Sequence, residues 1–249
     1  MVVSCRVVSC RDGRQFNLRI EFMNNPTDLI SQYRMLSTAN VSDGLDRISF
    51  NGTPHGIGPL WDACSKIVGP ACTLKLVGVD EADESPVLGT LRAITHGHAG
   101  DVLVIDHGGR TDINSYGGVA GFTTFHKGLV GCVIDGVTRD IDEYKELSLP
   151  VYSRGFIQQS IRNRCACAGY QIQVELGGVP VHPGDLVMAD ENGVCIVPKD
   201  RMEEVLGYAQ LFKSIEDQII KAIRDGVDPV SAHDKVRYDL MTKAGYEPN

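Results

Sequence analysis

The sequence predicts an α/β fold, a sandwich with mixed sheets, with an arm before it and helices after it. Three observations predict this. Between residues 73 and 153, short apolar strand patterns alternate with helical patterns, the rhythm of βαβ units. From 170 to 198 short strands follow at close spacing, with Gly-Gly, Pro-Gly and Glu-Asn-Gly turns between them, which is antiparallel punctuation. From Met202 through Val205, Leu206, Ala209, Phe212, Ile215 and Ile219 to Ile223, apolar residues recur on one helical face.

Taken in order, residues 1–26 form an arm of unassigned role in which VVSCR occurs twice, at 2–6 and 7–11. Residues 27–48 read as helical, with Ser42 and Asp43 placed to cap a new turn. Gly- and Pro-rich 51–70 reads as loop. Thr73–Val79 reads as a strand, Pro86–Thr95 as a helix and Val102–Asp106 as a strand, followed by the Gly-rich segment HGGRTDINSYGGVAG. A helix follows over Val119–Lys127, then a strand over Leu129–Ile134 closed by the Asp135-Gly136 turn. Asp140–Leu147 reads as a helix, Val151 begins a strand, and a last helix covers 230–243. No linker divides 27–249, so this is one domain whose helical extension begins at about 200.

Charge narrows the function classes. With 24 Lys+Arg against 32 Asp+Glu and no basic stripe, the chain repels phosphate backbones, which disfavours nucleic-acid binding. No apolar run reaches the ~20 residues that span a bilayer. The N-terminus, with arginines inside its apolar stretch, fails as a signal peptide. A cytoplasmic setting is expected, with the eight cysteines reduced. No CxxC pair marks a zinc site, and Cys132 and Cys195, inside apolar runs, read as small buried hydrophobes. GxGxxG, P-loop, GxSxG and HExxH signatures are absent.

Chemistry concentrates between 100 and 155. Loops beyond strand ends collect ligand groups in α/β folds. Gly117-Gly118 precede a predicted helix whose free amides at Val119 and Ala120 would cradle a carboxylate or an enolate. Arg139 offers a planar fork for a carboxylate, and Asp140 a hard oxygen ligand for Mg2+ or Mn2+. Taken alone, the Arg139-Asp140 pair reads as a helix start. Lys127 reads as a cation at a helix C-terminus, and His96 and His98 as solvated loop residues.

The segments GGVAG at 117–121 and FHKGLVGCVIDGVTRDIDE at 125–143 change that balance, because they resemble the RraA-like family. Its motif is a Gly or acidic residue, twenty residues, then Arg-Asp; Gly118 and Arg139-Asp140 match it, and Glu143 supplies an acidic residue three positions on. STANVSDGLDR at 37–47, GDVLVID at 100–106, LPVYSRG at 149–155 and VHPGDLVMADENGVCIVP at 181–198 match as well, so the resemblance covers roughly 35–205. It implies a phosphohistidine-domain-like α/β sandwich. It also implies a divalent-metal-dependent aldolase that releases pyruvate from 4-hydroxy-2-oxo acids such as 4-hydroxy-4-methyl-2-oxoglutarate, with oxaloacetate decarboxylation expected from the same enolate. Catalysis falls to Arg139 and Asp140; substrate binding to Gly117, Gly118, Val119, Ala120, Arg139 and His107; and Mg2+ or Mn2+ binding to Asp140 and Glu143. The site is expected at a subunit interface of a trimer or hexamer, with a neighbour's carboxylate drawn from Glu203, Glu204 or Glu216. Two positions depart from the pattern. Gly118 stands where several aldolases carry an acid, and His107 where a small residue is commoner; His107 or Arg110 is expected to face the substrate. The resemblance also admits two other roles, a noncatalytic regulator that binds an RNase E-type ribonuclease, and a lyase or dehydratase acting on sugar acids.

Overall fold

Three apolar strand segments set the centre of the molecule. The structure, a computed structural model, describes residues 26–243. β2 (Ile67–Gly78), β3 (Val102–Asn114) and β4 (Gly131–Val137) lie parallel side by side, and β5 (Val151–Ser153) continues the parallel set. Every residue of β4 is buried, as expected of a parallel strand covered on both faces. Strand periodicity divides the central residues. Leu103, Ile105 and Ile134 face a core built with α3 (Pro86–His96), α4 (Gly118–Lys127) and α5 (Ile141–Glu146). Val102, Val104 and Val133 face a second core with the hairpin of β7 (Val174–Leu176) and β8 (Val179–Val181).

Antiparallel strands finish the sheet. β1 (Gly58–Pro59) pairs with β5, β6 (Cys165–Tyr170) and β9 (Leu186–Asp190) pair with β2, and β10 (Gly193–Val197) pairs with β9. The order is β1-β5-β4-β3-β2-β9-β10, and β1 touches β10, so this mixed sheet nearly closes on itself. On β9 and β10 sits a third core, with α1 (Pro26–Arg34), α2 (Thr38–Arg47) and the long α6 (Met202–Arg224). Val41, Leu45, Val205 and Leu206 are at most 1% exposed there, each contributing about 1.5–3 kcal/mol of burial.

The structure corrects several boundaries. The helical stretch at 27–48 is two helices, broken at Ser37, which caps α2 in a reciprocal capping box with Asn40. Ser42 and Asp43 lie inside α2 and are not its cap. The loop read at 51–70 contains β1 and the start of β2. β3 runs on through the Gly-rich segment because Gly108 and Gly109, at φ 62° and 70°, let the strand buckle and rejoin β4 at Arg110 and Asn114. The C-terminal helix is only α7 (Pro229–Asp234) and a 3-10 turn at Tyr238–Leu240. The VVSCR repeats lie outside the described residues. Cys132 and Cys195 are buried, 0% and 2% exposed. No helix among the described residues is long and apolar enough to cross a membrane.

One row of charge crosses the strand ends. Lys75 on β2 is in register with Asp106 on β3, and Asp106 with Asp135 on β4, which bonds Arg154 just beyond β5. Asp106 accepts from Lys75 Nζ at 2.7 Å and from the amides of Gly108 and Glu175 at 3.0 Å. Asp135 accepts from Arg154 Nε and, at 2.8 Å, from the amide of Gly177. The two buried carboxylates therefore pin the β7–β8 hairpin over the sheet.

A second electrostatic feature lies between α2 and α6. Burial, then the nearby charges of Glu216 and Asp46, push the Asp43 carboxyl up to about 6. Its folded-state pKa lies above the unfolded value, so its contribution is present at low pH and lost as pH rises through about 6. Asp43→Asn is expected to raise Tm by roughly 2–4 °C at about pH 8, with the gain shrinking below about pH 5. Thermal melts at the two pH values check this, and an equal gain at both refutes it.

Candidate functional site

The site grows from two turns that leave adjacent strands. β3 ends at Asn114 and leads through Ser115 and Tyr116 into Gly117, the N-cap of α4. β4 ends at Val137 and leads through Thr138 into Arg139 and Asp140, the N-cap of α5. Buried hydrogen bonds lock the turns together. Thr138 Oγ1 donates to Tyr116 O at 2.7 Å and lies 3.0 Å from Tyr144 Oη; Arg139 N donates to Tyr116 O at 3.3 Å. Tyr116 Oη donates to Thr124 Oγ1 at 2.8 Å, and its ring lies 5.4 Å from that of Tyr144. Thr138 and Tyr144 are thus positioning residues that the sequence reading did not single out. The signal was the threonine directly before Arg139.

Asp140 is at φ 60°, ψ 43°, a left-handed conformation uncommon for a residue with a side chain. It occupies the N-cap of α5 without capping it. Its Oδ2 instead accepts from the amide of Gly118 at 2.8 Å, at the electropositive start of α4. The amides of Val119 and Ala120 lie in the same first turn, ahead of the first intrahelical bond from Gly121 N to Gly117 O.

The two glycines are needed for space. A Cβ on Gly117 would sit 3.0 Å from Asp140 Oδ2. One on Gly118 would sit 1.8 Å from Glu143 Oε2, inside the carboxylate of that residue. Glu143 therefore fills the space that a side chain at 118 would take. Two carboxylates, those of Asp140 and Glu143, converge on the start of α4. Among the described residues no group of three or more His, Cys, Asp or Glu could hold a metal ion. Two carboxylates fit a cation such as Mg2+, which keeps several waters and binds through one or two carboxylates plus substrate oxygens.

Arg139 stands beside them. Its Nε is buried without a hydrogen-bond acceptor, 3.4 Å from Asp140 Oδ2 but poorly aligned, and its Nη1 donates to Gln158 O at 3.4 Å. An open cleft of about 640 Å³ adjoins the pair, lined by Arg139, Asp140, Asp142, Lys145, Phe156 and Gln158 among others. Asp140 joins this cleft to the α4 amides.

Other expected residues lie elsewhere. His107 is 2% exposed, packed against Gly136, with Nε2 3.1 Å from Ile113 O. Burial holds its pKa below the ordinary histidine value. β3 carries its ring into the interior, away from the cleft lining. Arg110 forms a bidentate pair with Asp112 at 2.9 and 3.1 Å. Glu204 pairs with Arg201, and Glu216 accepts from Asn40 Nδ2 at 3.1 Å. Lys127 ends α4 before the left-handed Gly128, as its expected dipole role requires. His96 ends α3 and packs 4.9 Å from the Tyr170 ring.

The Aldolase/RraA model of the RraA-like family matches residues 38–196, which contain all of these turns. The chain belongs to the RraA-like family. A "Putative 4-hydroxy-4-methyl-2-oxoglutarate aldolase" of Halalkalibacterium halodurans is 31% identical over 206 residues, 83% of this chain and 93% of that one. Protein DlpA of Legionella pneumophila is 29% identical over 212 residues, 85% of this chain; the chain spans only 34% of DlpA. RraAS2 of Streptomyces coelicolor, described as an unusual member of the RNase ES inhibitor RraA protein family, superposes with a TM-score of 0.68. It is 25% identical over 79% of this chain and 98% of its own. The RraA-like fold accounts for the mixed sheet and the helices that follow it.

Proposed function

We propose that this RraA-like chain is a divalent-metal-dependent carbon–carbon lyase that cleaves a 4-hydroxy-2-oxo acid to release pyruvate. Decarboxylation of oxaloacetate would follow from the same site. The observation that carries the reading is the meeting of the first turn of α4, two carboxylates and the unpartnered Arg139 Nε around the side-chain-free pair Gly117-Gly118.

Each residue then has a defined task. The Val119 and Ala120 amides take the substrate carboxylate at the positive end of α4. Arg139 donates to the 2-oxo oxygen. When the C3–C4 bond breaks, its electron pair passes into the C2–C3 unit and negative charge grows on that oxygen, where a fixed cation helps most. The C4 hydroxyl loses its proton and becomes a carbonyl, and protonation at C3 completes pyruvate. Asp140 and Glu143 would hold Mg2+ or Mn2+, which supplies Lewis-acid polarisation of the 2-oxo acid when bound. Val119, Phe122 and Phe125 on α4 and Phe156 in the cleft wall are 50–73% exposed. An apolar patch of that kind fits a covering copy of the same chain, in a cytoplasmic trimer or hexamer.

The test is a pyruvate-release screen across 4-hydroxy-2-oxo acids and oxaloacetate, with Mg2+, with Mn2+ and with chelator. Turnover that depends on the metal and disappears with chelator is expected. No pyruvate from any substrate with either metal would overturn the reading. The likeness to RraAS2 supports a second role, regulation of a ribonuclease, and the net charge of −8 suits a basic partner segment. Co-purification with an RNase E-type enzyme, without turnover in the screen, would favour it.

A further inference from the structure

One buried side chain links the two segments that meet at Arg139. Asn114, the last residue of β3, is 2% exposed and does not line the cleft. Its Nδ2 donates to Tyr116 O at 3.2 Å, and its Oδ1 accepts from the amide of Ile161 at 2.9 Å. Its own amide donates to Gln159 O at 2.9 Å. The side-chain amide can point only one way, because the Ile161 N–H needs an acceptor and the Tyr116 carbonyl needs a donor.

Both side-chain bonds lead to Arg139, from opposite ends. Tyr116 O is shared by three donors, Asn114 Nδ2, Thr138 Oγ1 at 2.7 Å and Arg139 N at 3.3 Å, and so fixes the backbone of Arg139. At the other end, Arg139 Nη1 donates to Gln158 O at 3.4 Å. Gln158 lies in an irregular strap, residues 155–161, whose Phe156, Ile157 and Gln158 line the cleft. Thr138 holds the near end of the strap: its amide donates to Gly155 O at 3.2 Å, and its carbonyl accepts from Ile157 N at 2.9 Å. Asn114 holds the far end, through Gln159 O and Ile161 N. Removing the Asn114 side chain leaves the Ile161 amide without its acceptor and takes one donor from Tyr116 O.

We propose that Asn114 is a positioning residue that aims the Arg139 guanidinium at the reacting 2-oxo oxygen. This rests on the 2-oxo-acid reading of the site and adds to it a residue outside the Gly118, Arg139 and Asp140 motif. The contacts of the Arg139 fork are long, 3.4 Å to Asp140 Oδ2 and 3.4 Å to Gln158 O. Its direction therefore depends on where its backbone and the Gln158 carbonyl are held, and Asn114 is bonded to both supports. A donor at a developing oxyanion is sensitive to direction, and a misplacement of ~1 Å can cost about 10²-fold.

A double-variant cycle separates aiming from general support. Pyruvate release from oxaloacetate, or from 4-hydroxy-4-methyl-2-oxoglutarate where that is faster, is measured on the full chain with Mg2+ present. Asn114→Leu, of similar volume, removes both side-chain bonds. It is expected to lower kcat by about 10–10²-fold with KM within about threefold, since the fork acts where charge grows as the bond breaks. In the Arg139→Ala background the same substitution should change kcat by less than about twofold, because no fork is left to aim. Amide exchange at Ile161 should speed up in both backgrounds alike, which shows that the strap is released in each. Asn114→Ser, whose hydroxyl makes one of the two bonds at a time, should give an intermediate loss, and it carries the test if the leucine variant does not fold. Equal losses of kcat in the two backgrounds would make Asn114 a structural residue and overturn the proposal. So would a kcat within about twofold of the parent, or a loss carried by KM alone. No pyruvate from the parent with either substrate overturns the 2-oxo-acid reading, and the role of Asn114 with it.

Discussion

Arg139→Ala is expected to lower kcat/KM for pyruvate release by about 10²–10³-fold, the cost of removing one preorganised donor at a developing oxyanion. Tm should stay within about 2 °C of the parent, because the side chain is partly exposed and its contacts are long, 3.4 Å to Asp140 Oδ2 and 3.4 Å to Gln158 O. Most of the loss should fall on kcat, since the donor acts where charge grows as the bond breaks. Arg139→Lys should recover little, because an ammonium cannot reproduce the planar fork. Steady-state kinetics beside a thermal melt separate these outcomes. Activity within about threefold of the parent would remove Arg139 from the chemistry. A collapse in Tm would instead make it a structural residue, holding Gln158 and the turn after β4.

How much of this site the sequence displayed depended on distance along the chain. Gly117, Gly118, Arg139, Asp140 and Glu143 stand in a motif with fixed spacing, and the fold converts that spacing into contact by laying β3 and β4 side by side. The motif is silent on how Gly118 and Glu143 are related. Only the structure shows the Glu143 carboxylate in the volume that a side chain at 118 would fill. His107 shows the opposite case. The segment HGGRTDIN, rich in turn residues, reads as loop, yet two left-handed glycines let it stay on the sheet and bury the histidine. Local propensity cannot register a strand that buckles after Asp106 and rejoins its neighbour four residues later, at Arg110. Asn114 and Ile161 are 47 positions apart, and no short-range pattern relates them. The long amphipathic α6 was legible, because its periodicity is carried within one segment. The break at Ser37 was missed because the stretch from 27 to 48 keeps helical character on both sides of it.

Asp135→Ala is expected to destabilise the chain by about 3–5 kcal/mol, the range for removing one member of a buried ion pair. At roughly 2–4 °C per kcal/mol for a chain of this size, Tm should fall by about 6–20 °C. The physical cause is what the missing carboxylate leaves behind. Arg154, whose side chain is 25% exposed, loses its only carboxylate partner among the described residues. The buried amide of Gly177 loses its acceptor, so the β7–β8 hairpin loses one of its two ties to the strand ends. Replacing both partners discriminates this from a simple packing loss. Asp135→Ala with Arg154→Met removes the stranded charge, and should recover a substantial part of the stability lost by Asp135→Ala alone. Amide exchange should accelerate first in residues 174–181, the segment held by the row, before it rises in β3 or β4. A single variant that melts within about 1 °C of the parent would show that the carboxylates cross the strand ends without fastening the hairpin to them. A double variant no more stable than the single would place the cost in lost packing and the Gly177 amide, and not in the uncompensated charge of Arg154.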